Sequence, residues 1–564
     1  MVFTLGYVKA SSQFLSEMDF SEDDYNPMDI SCIQHYNPLY STFFDIDDTS
    51  IQSLALNHTF HVYDRSTVIS TENGKKKKAE IFIKYAPLLD PVHFLIGKYT
   101  KGFPYNTLPT PHLKERDVSF NKLTNRNNSS YVDNFFNYLS SQVLNHHTFV
   151  NGIDYYGSNV AIQKKFRFDV SEDLDYLEDS DFFKTNNGKF FEIQNYDNKG
   201  FPVKNTQSNR PILKIYDENA DIDDVIEYPE DSNKISYEEV EETNTEIIFD
   251  SKEEHEKEDD EEEDVDSEEN SVVCNTDDED DDDDNDNDDD GDDDENEDEG
   301  DDDADDETDD ENEEGEINAY LYNFPIQMIA LEKCDGTFDS LLENDAISED
   351  ETIGALFQII FTLLVYQKLF SFTHNDLHTN NILYKETKTK FLYYKFNGTT
   401  YKVPTFGRIF KIIDFGRAIY KFKDNLLCSD SFAPSGDAHG QYNFEPYFNT
   451  EKPRLEPNKS FDLCRLGCSM YDFVFEDEPN PLSMTSLQKI VMEWCTDDYG
   501  KNVLYKKNGE ERYPNFKLYK MISRIVHRHT PENQLENPLF ARFKMKPEGI
   551  KSLFDLDGIH KYYV

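Results

Sequence analysis

The sequence predicts an α+β fold, with antiparallel strands in the first part of the chain and apolar helices in the last. Three observations predict it. Strand-like runs recur at 59–86, 157–168 and 189–194, and long apolar runs of helical length occur at 352–371 and 455–475. Between them, residues 217–316 are too charged to join any core.

Taken in order, residues 1–58 are mixed and aromatic-rich and read as an N-terminal extension packed on the fold. Thr59 to Tyr63 is a strand candidate. A basic turn, Gly74-Lys75-Lys76-Lys77-Lys78, then precedes the alternating run Ala79 to Tyr85, and the three together read as a hairpin whose lysines form a solvated loop. Residues 131–144 fit an amphipathic helix with Val132, Phe135, Phe136, Leu139 and Val143 on one face. After the charged tract, Tyr320 to Glu332 reads as a strand, Asp335-Gly336 as a turn and Phe338 to Leu342 as a short helix. Residues 352–371 form a long helix, and Asn381 to Tyr384 and Ile409 to Ile413 are strands. Between those strands, Phe391 to Tyr394 and Tyr401 to Val403 flank Asn397-Gly398, a strong hairpin turn. Residues 455–475 form a further apolar helix.

The formal charge of −61 is unevenly spread. From Asp217 to Glu316 there are 58 acids against three lysines, so the rest of the chain carries a net charge of only about −6. Self-repulsion and scarce apolar surface predict a disordered insert there. It can bind a basic protein partner or simply be a tolerated, solvated insertion. The dominant field repels phosphates, which excludes nucleic acid as the expected partner. Seven cysteines without a C-x-x-C pair read as reduced, packed thiols, and Cys464 and Cys468 share a helix. Met1 to Ala10 lacks the basic start and long apolar core of a secretory signal. The apolar run Ile353 to Phe372 is broken by Gln358, Gln367 and Lys368 and reads as a buried helix, so no membrane association is expected. A cytoplasmic location follows.

One constellation carries chemistry. The segment His374-Asn375-Asp376-Leu377-His378-Thr379-Asn380-Asn381 is followed, 33 residues after Asn381, by Asp414-Phe415-Gly416. By side-chain type alone, carboxylates can accept protons, and carboxylate and amide oxygens can bind hard cations. The spacing His374-x-Asp376-x-His378 also allows a zinc site. The two segments, H-x-D-L-x-x-x-N and then D-F-G, resemble the catalytic core of the protein kinase-like superfamily. Ile81-Phe82-Ile83-Lys84 is similar to that family's V-A-I-K strand, Met328 to Cys334 to its hinge, and Asp462-Leu463-Cys464-Arg465-Leu466-Gly467 to a helix start in its large lobe. The likeness covers roughly residues 59–216 and 317–540.

The resemblance implies a bilobal fold. Its small lobe would span 59–216 and 317–334, interrupted by the acidic insert, and its large lobe 335–564. It implies an ATP-dependent phosphotransferase using ATP and Mg²⁺, of the serine/threonine protein kinase type, with an unidentified protein substrate. By the same resemblance Asp376 is the catalytic base, Asn381 and Asp414 bind magnesium, and Lys84 holds the α- and β-phosphates. Glu332, Lys333 and Cys334 meet adenine through backbone groups. Asp462 anchors the catalytic loop, which His374, Phe415 and Gly416 shape. The insert, the composition and the phrase Phe82 to Pro91 are also similar to uncharacterised kinase-like proteins of giant DNA viruses of the mimivirus type, which implies host cytoplasm or virion.

The departures from the family pattern are specific. No G-x-G-x-x-G precedes Lys84, and Phe82 stands where a small residue faces the base. The 131–144 helix offers only Asp133 as a partner for Lys84, and that short arm requires a close helix. Asn375 replaces the arginine that reads a phosphorylated loop, and His378 replaces a lysine. His378 suits a small-molecule kinase, and the altered small lobe suits a pseudokinase or scaffold. These are the two alternatives to a protein kinase.

Overall fold

The longest strand organises the first part of the molecule. A computed structural model describes residues 5–7, 25–46, 51, 54–99, 105–111, 118–171, 173–194, 317–475, 482–547, 549–550 and 552–559. The acidic tract expected at 217–316 lies outside them. The early strands are β1 (Leu5–Tyr7), β2 (Ile30–Gln34), β3 (Leu54–Leu56), β4 (Phe60–Asp64), β5 (Thr67–Ser70), β6 (Lys76–Lys78) and β7 (Ile81–Pro87). They are followed by helix α1 (Ser129–His147), β8 (Tyr155–Asp169), β9 (Phe191–Ile193) and β10 (Asn318–Glu332). The main antiparallel sheet runs β2-β8-β10-β7, with β9 also on β10. Phe324 to Leu331 is buried throughout, as expected of a central strand covered on both faces.

Two expectations need correction here. The run ending in Tyr85 does not close a hairpin with the 60–64 strand. β7 pairs with β10, from Ile326 opposite Pro87 to Glu332 opposite Ile81. The lysine turn is not a loop either: Lys76–Lys78 forms β6, the exposed edge of a separate β4-β5-β6 sheet. Lys76 lies 3.4 Å from the Tyr63 ring centroid, a cation–π contact that places a long apolar stem over an aromatic face. Three of the four lysines therefore form an edge strand, where they also discourage pairing with other chains.

Helix α1 is buried almost throughout, with Phe135, Phe136 and Leu139 in the main core. Asn128 caps it by accepting from the Ser130 N–H, and Thr148 ends it in a left-handed conformation (φ 60°).

The second part is mainly helical. It contains β11 (Gly336–Thr337), α2 (Phe338–Glu343), α3 (Glu349–Phe370), β12 (Ile382–Glu386), β13 (Phe391–Phe396), β14 (Thr399–Pro404), β15 (Arg408–Ile412), β16 (Ile419–Phe422) and β17 (Asn425–Cys428). Then follow α4 (Phe461–Val474), α5 (Ser486–Trp494), α6 (Lys517–Ile525), β18 (Lys544–Met545) and β19 (Phe554–Asp555). The expected 455–475 helix begins only at Phe461, since Pro457 cannot donate within a helix and Leu455 instead bridges to Asn443. Among the described residues α3 is the one helix long and apolar enough to cross a membrane. Its apolar window is 94% buried, as a core helix requires. The hairpin at Asn397-Gly398 forms as expected, with both residues at positive φ. β18 pairs with β14 and β19 with β13, making a four-stranded sheet on α3.

All described residues belong to one compact unit. Two buried polar clusters tie its sheet part to its helical part through the loop between α1 and β8. Asn151 donates to Gln358 Oε1 (3.0 Å) and the Phe410 carbonyl (2.9 Å), and accepts from the Tyr394 hydroxyl (2.7 Å). Lys411 Nζ donates to the carbonyls of Val150 (2.9 Å) and Gly152 (2.6 Å) and to Glu332 Oε1 (2.7 Å). A buried ammonium is tolerated because three acceptors surround it.

Under the main sheet, His58 Nε2 and His61 Nδ1 lie 2.9 Å apart, both buried. Burial first, and the nearby His35 second, hold His61 down to about 4; burial and His61 hold His58 well below the ordinary value. Both are therefore neutral when folded. Their contribution is complete above the unfolded value of about 6.5 and is lost as the pH falls toward 4. Thermal melts should show a midpoint falling between pH 7 and pH 5, where few carboxylates titrate, and His61→Gln should flatten that slope.

Candidate active site

Lys84 is the junction of the site. It lies on β7, and alternation puts it on the same face as Phe82. Its Nζ is 2.8 Å from Asp133 Oδ2 on α1 and 2.9 Å from Asp414 Oδ1 after β15. The close helix that Asp133 requires is therefore present. Asp133 is also held by its other oxygen, which accepts from the Phe415 N–H at 2.8 Å and from Asn137 Nδ2 at 2.9 Å. The Asp133 side chain is 2% exposed and that of Asp414 is 46% exposed. Burial pushes Asp133 up against the pull of Lys84, whereas at Asp414 the ammonium outweighs burial and brings the carboxyl down to about 2. Lys84 is correspondingly raised, the two carboxylates outweighing its own burial.

The loop after α3 meets this junction through Ile413. The Ile413 N–H donates to the Asn381 carbonyl (3.0 Å), and the Ile413 carbonyl lies 2.9 Å from His374 Nε2. Asp462 on α4, fully buried, accepts from the His374 N–H (3.1 and 3.0 Å) and the Asn375 N–H (2.9 Å). Asn375 at φ 65° bridges outward, donating to the Arg417 carbonyl (3.0 Å) and accepting from the Tyr442 hydroxyl (2.8 Å). His374 and Phe415 pack ring to ring at 5.7 Å.

Within the loop, Asn381 Nδ2 donates to the Asp376 carbonyl at 2.9 Å and lies 2.9 Å from His378 Nε2. The amide nitrogen is thus committed to the loop, and its oxygen is the group able to meet a cation. That oxygen and the half-exposed Asp414 carboxylate are both hard donors, of the type magnesium takes. The zinc alternative is not supported. His374 and His378 spend their Nε2 atoms on Ile413 and Asn381, and no group of three metal-type ligands gathers among the described residues.

Asp376 has partners that the motif alone did not suggest. Its Oδ1 accepts from the Tyr519 hydroxyl at 2.8 Å and lies 3.5 Å from Arg417 Nη1. Arg465 Nε donates to the Tyr519 hydroxyl (2.9 Å), and Arg417 pairs with Asp437 (2.5 Å). Burial alone would raise Asp376, but Arg417 and then Arg465 leave it below the ordinary carboxylate value. The sequence singled out neither: Arg417 directly follows Gly416, just beyond the motif, and Tyr519 lies 143 residues from Asp376.

The remaining sequence candidates divide. Glu332 lies at the end of β10, where its Oε1 accepts from Lys411 Nζ (2.7 Å) and the Asp154 N–H (2.9 Å), and its own N–H donates to the Asp154 carbonyl (2.9 Å). The Lys333 N–H is used by the Glu80 carbonyl (3.0 Å), and Cys334 is half-buried beside them. Phe82 is 52% exposed, so its ring is not packed into the core; it stands on the face of β7 that also carries Lys84.

No family model matches the chain. Over 98 residues, 16% of this chain and 12% of the relative, it is 38% identical to the serine/threonine-protein kinase haspin of Mus musculus. The corresponding figure for haspin of Bos taurus is 37% over 98 residues. An uncharacterized protein, 098R, of Invertebrate iridescent virus 6 is 30% identical over 142 residues, 24% of this chain and 22% of that relative. The matches thus span only a small part of each relative, and they indicate a kinase-like relationship over that part.

The Asp462 anchor is open to a direct test. Asp462→Ala strands two buried N–H groups and should cost about 2–4 kcal/mol in denaturant unfolding. Asp462→Asn keeps one acceptor oxygen and should cost less.

Proposed function

We propose that this chain is an ATP-dependent phosphotransferase of the serine/threonine protein kinase type, moving the ATP γ-phosphate to a hydroxyl. The observation that carries the reading is Lys84 ion-paired to both Asp133 and Asp414, next to a loop presenting Asp376 and Asn381. The local likeness to haspin, named as a serine/threonine-protein kinase, supports the same class. On this reading 59–216 with 317–334 form the nucleotide-holding lobe and 335–564 the catalytic lobe.

In the reaction the acceptor oxygen bonds to the γ-phosphorus as the bond to ADP breaks, and the acceptor proton passes to the Asp376 carboxylate. Arg417 and Tyr519 hold that carboxylate in one orientation. Lys84, kept charged by its two partners, binds the α- and β-phosphates, and the backbone of 332–334 faces the base. Asn381 and Asp414 would hold magnesium, which neutralises phosphate charge when bound. Positioning and electrostatics are most of what such a transfer requires.

Full-length protein titrated with Mg·ATP should be stabilised by about 2.7 kcal/mol at a hundredfold excess over Kd, and Asp414→Asn should lose the shift. Asp376→Asn should keep the shift but lower phosphate transfer by about 10²–10⁴-fold. No shift under any magnesium or nucleotide condition would leave a kinase-shaped binding protein instead.

A further inference from the structure

The segment after Asp414 contains a buried carboxylate that the reaction does not use. Asp430 follows β17 and is 4% exposed. Its Oδ1 accepts from the Ser129 N–H, the first of helix α1, at 3.0 Å. Its Oδ2 is 2.7 Å from Lys122 Nζ and accepts from Asn125 Nδ2 at 3.4 Å. Its own N–H donates to the Asn127 carbonyl at 2.7 Å. A carboxylate here satisfies a backbone donor that the helix leaves unpaired, and it places a negative charge at the positive end of the helix.

The helix start is thus held from two sides. On the sheet side, the Ser130 hydroxyl donates to the Pro87 carbonyl (2.5 Å) and Asn128 Nδ2 to the Leu88 carbonyl (2.8 Å), just beyond Lys84 on β7. On the other side stands Asp430. One turn into the helix comes Asp133, which reaches Lys84 and the Phe415 N–H. Asn375, where a cation would be needed to receive a modified side chain, is instead spent on Tyr442 and Arg417.

We propose that Asp430 is a positioning residue: a carboxylate, built into the segment after Asp414, that holds the start of α1 so that Asp133 stays within reach of Lys84. The site is then assembled in the unmodified chain, and displacing 428–432 uncouples it. This rests on the nucleotide-site reading above.

The test uses full-length protein with Asp430→Asn, Lys122→Met, Asp133→Asn and the Asp430→Asn/Asp133→Asn double variant. Two quantities are read: Mg·ATP affinity, and amide hydrogen exchange across 129–137. Asp430→Asn should speed exchange at the helix start and weaken Mg·ATP about tenfold, with no further loss in the Asp133→Asn background. A lowered melting temperature with exchange and affinity both unchanged would mark Asp430 as merely structural and overturn the proposal, as would additive losses in the double variant. If Asp430→Asn does not fold, Lys122→Met decides by the same two readouts. If wild type binds no Mg·ATP, the functional reading fails, and exchange alone still decides whether Asp430 holds the helix.

Discussion

The arrangement depends on one buried carboxylate. Asp133 touches Lys84 through one oxygen and the Phe415 N–H through the other, so a single side chain links β7, helix α1 and the segment that begins at Asp414. Burying a charge costs several kcal/mol unless partners surround it. Here an ammonium, a backbone N–H and the Asn137 amide do so. Removing any one leaves the others with an uncompensated charge or donor, so the three elements hold their positions together.

The same device recurs around the site. Asp462 holds the loop backbone by two N–H groups, Lys411 gathers two carbonyls and Glu332, and Asp430 holds the start of α1. Each is a buried ionic group that ends on backbone atoms. Backbone atoms lie near their helix or strand axis, so such contacts constrain the position of whole elements as well as side-chain rotamers. Lys84 is different, since its contacts run from side chain to side chain. The half-exposed Asp414 is the member of that trio able to exchange its ion pair for another cation.

Much of the site was legible in the sequence because its chemistry is local. Asp376, Asn381 and Asp414 sit at spacings that a loop and a following strand dictate, and the apolar periods announced α1 and α3. The sequence also singled out Asp133 as the sole acid available to Lys84. What escaped it was non-local. Tyr519 reaches Asp376 from α6 and is itself met by Arg465 from α4; the family-like segment at 462–467 contains Arg465 but does not announce that contact, and nothing in the neighbourhood of Tyr519 distinguishes it. The partner of β7 was misassigned because adjacency along the chain suggested a hairpin, whereas the strand that covers it lies more than 230 residues later, beyond the acidic tract.

By itself, then, the sequence determined the α+β class, the position of the main helices, the Asn397-Gly398 hairpin and which side chains are candidates for chemistry. Among the helices this holds for α1 and α3, and these readings follow from periodicity, turn stereochemistry and side-chain type, all of which act over a few residues. Only the tertiary structure decided that Lys84 meets Asp414 as well as Asp133, which oxygen of Asp376 is held and by what, and that the Glu332 side chain meets Lys411. Those outcomes depend on close approach between segments far apart in the chain, and buried charge makes that approach selective, because a few ångströms of displacement would leave an ion without its partner.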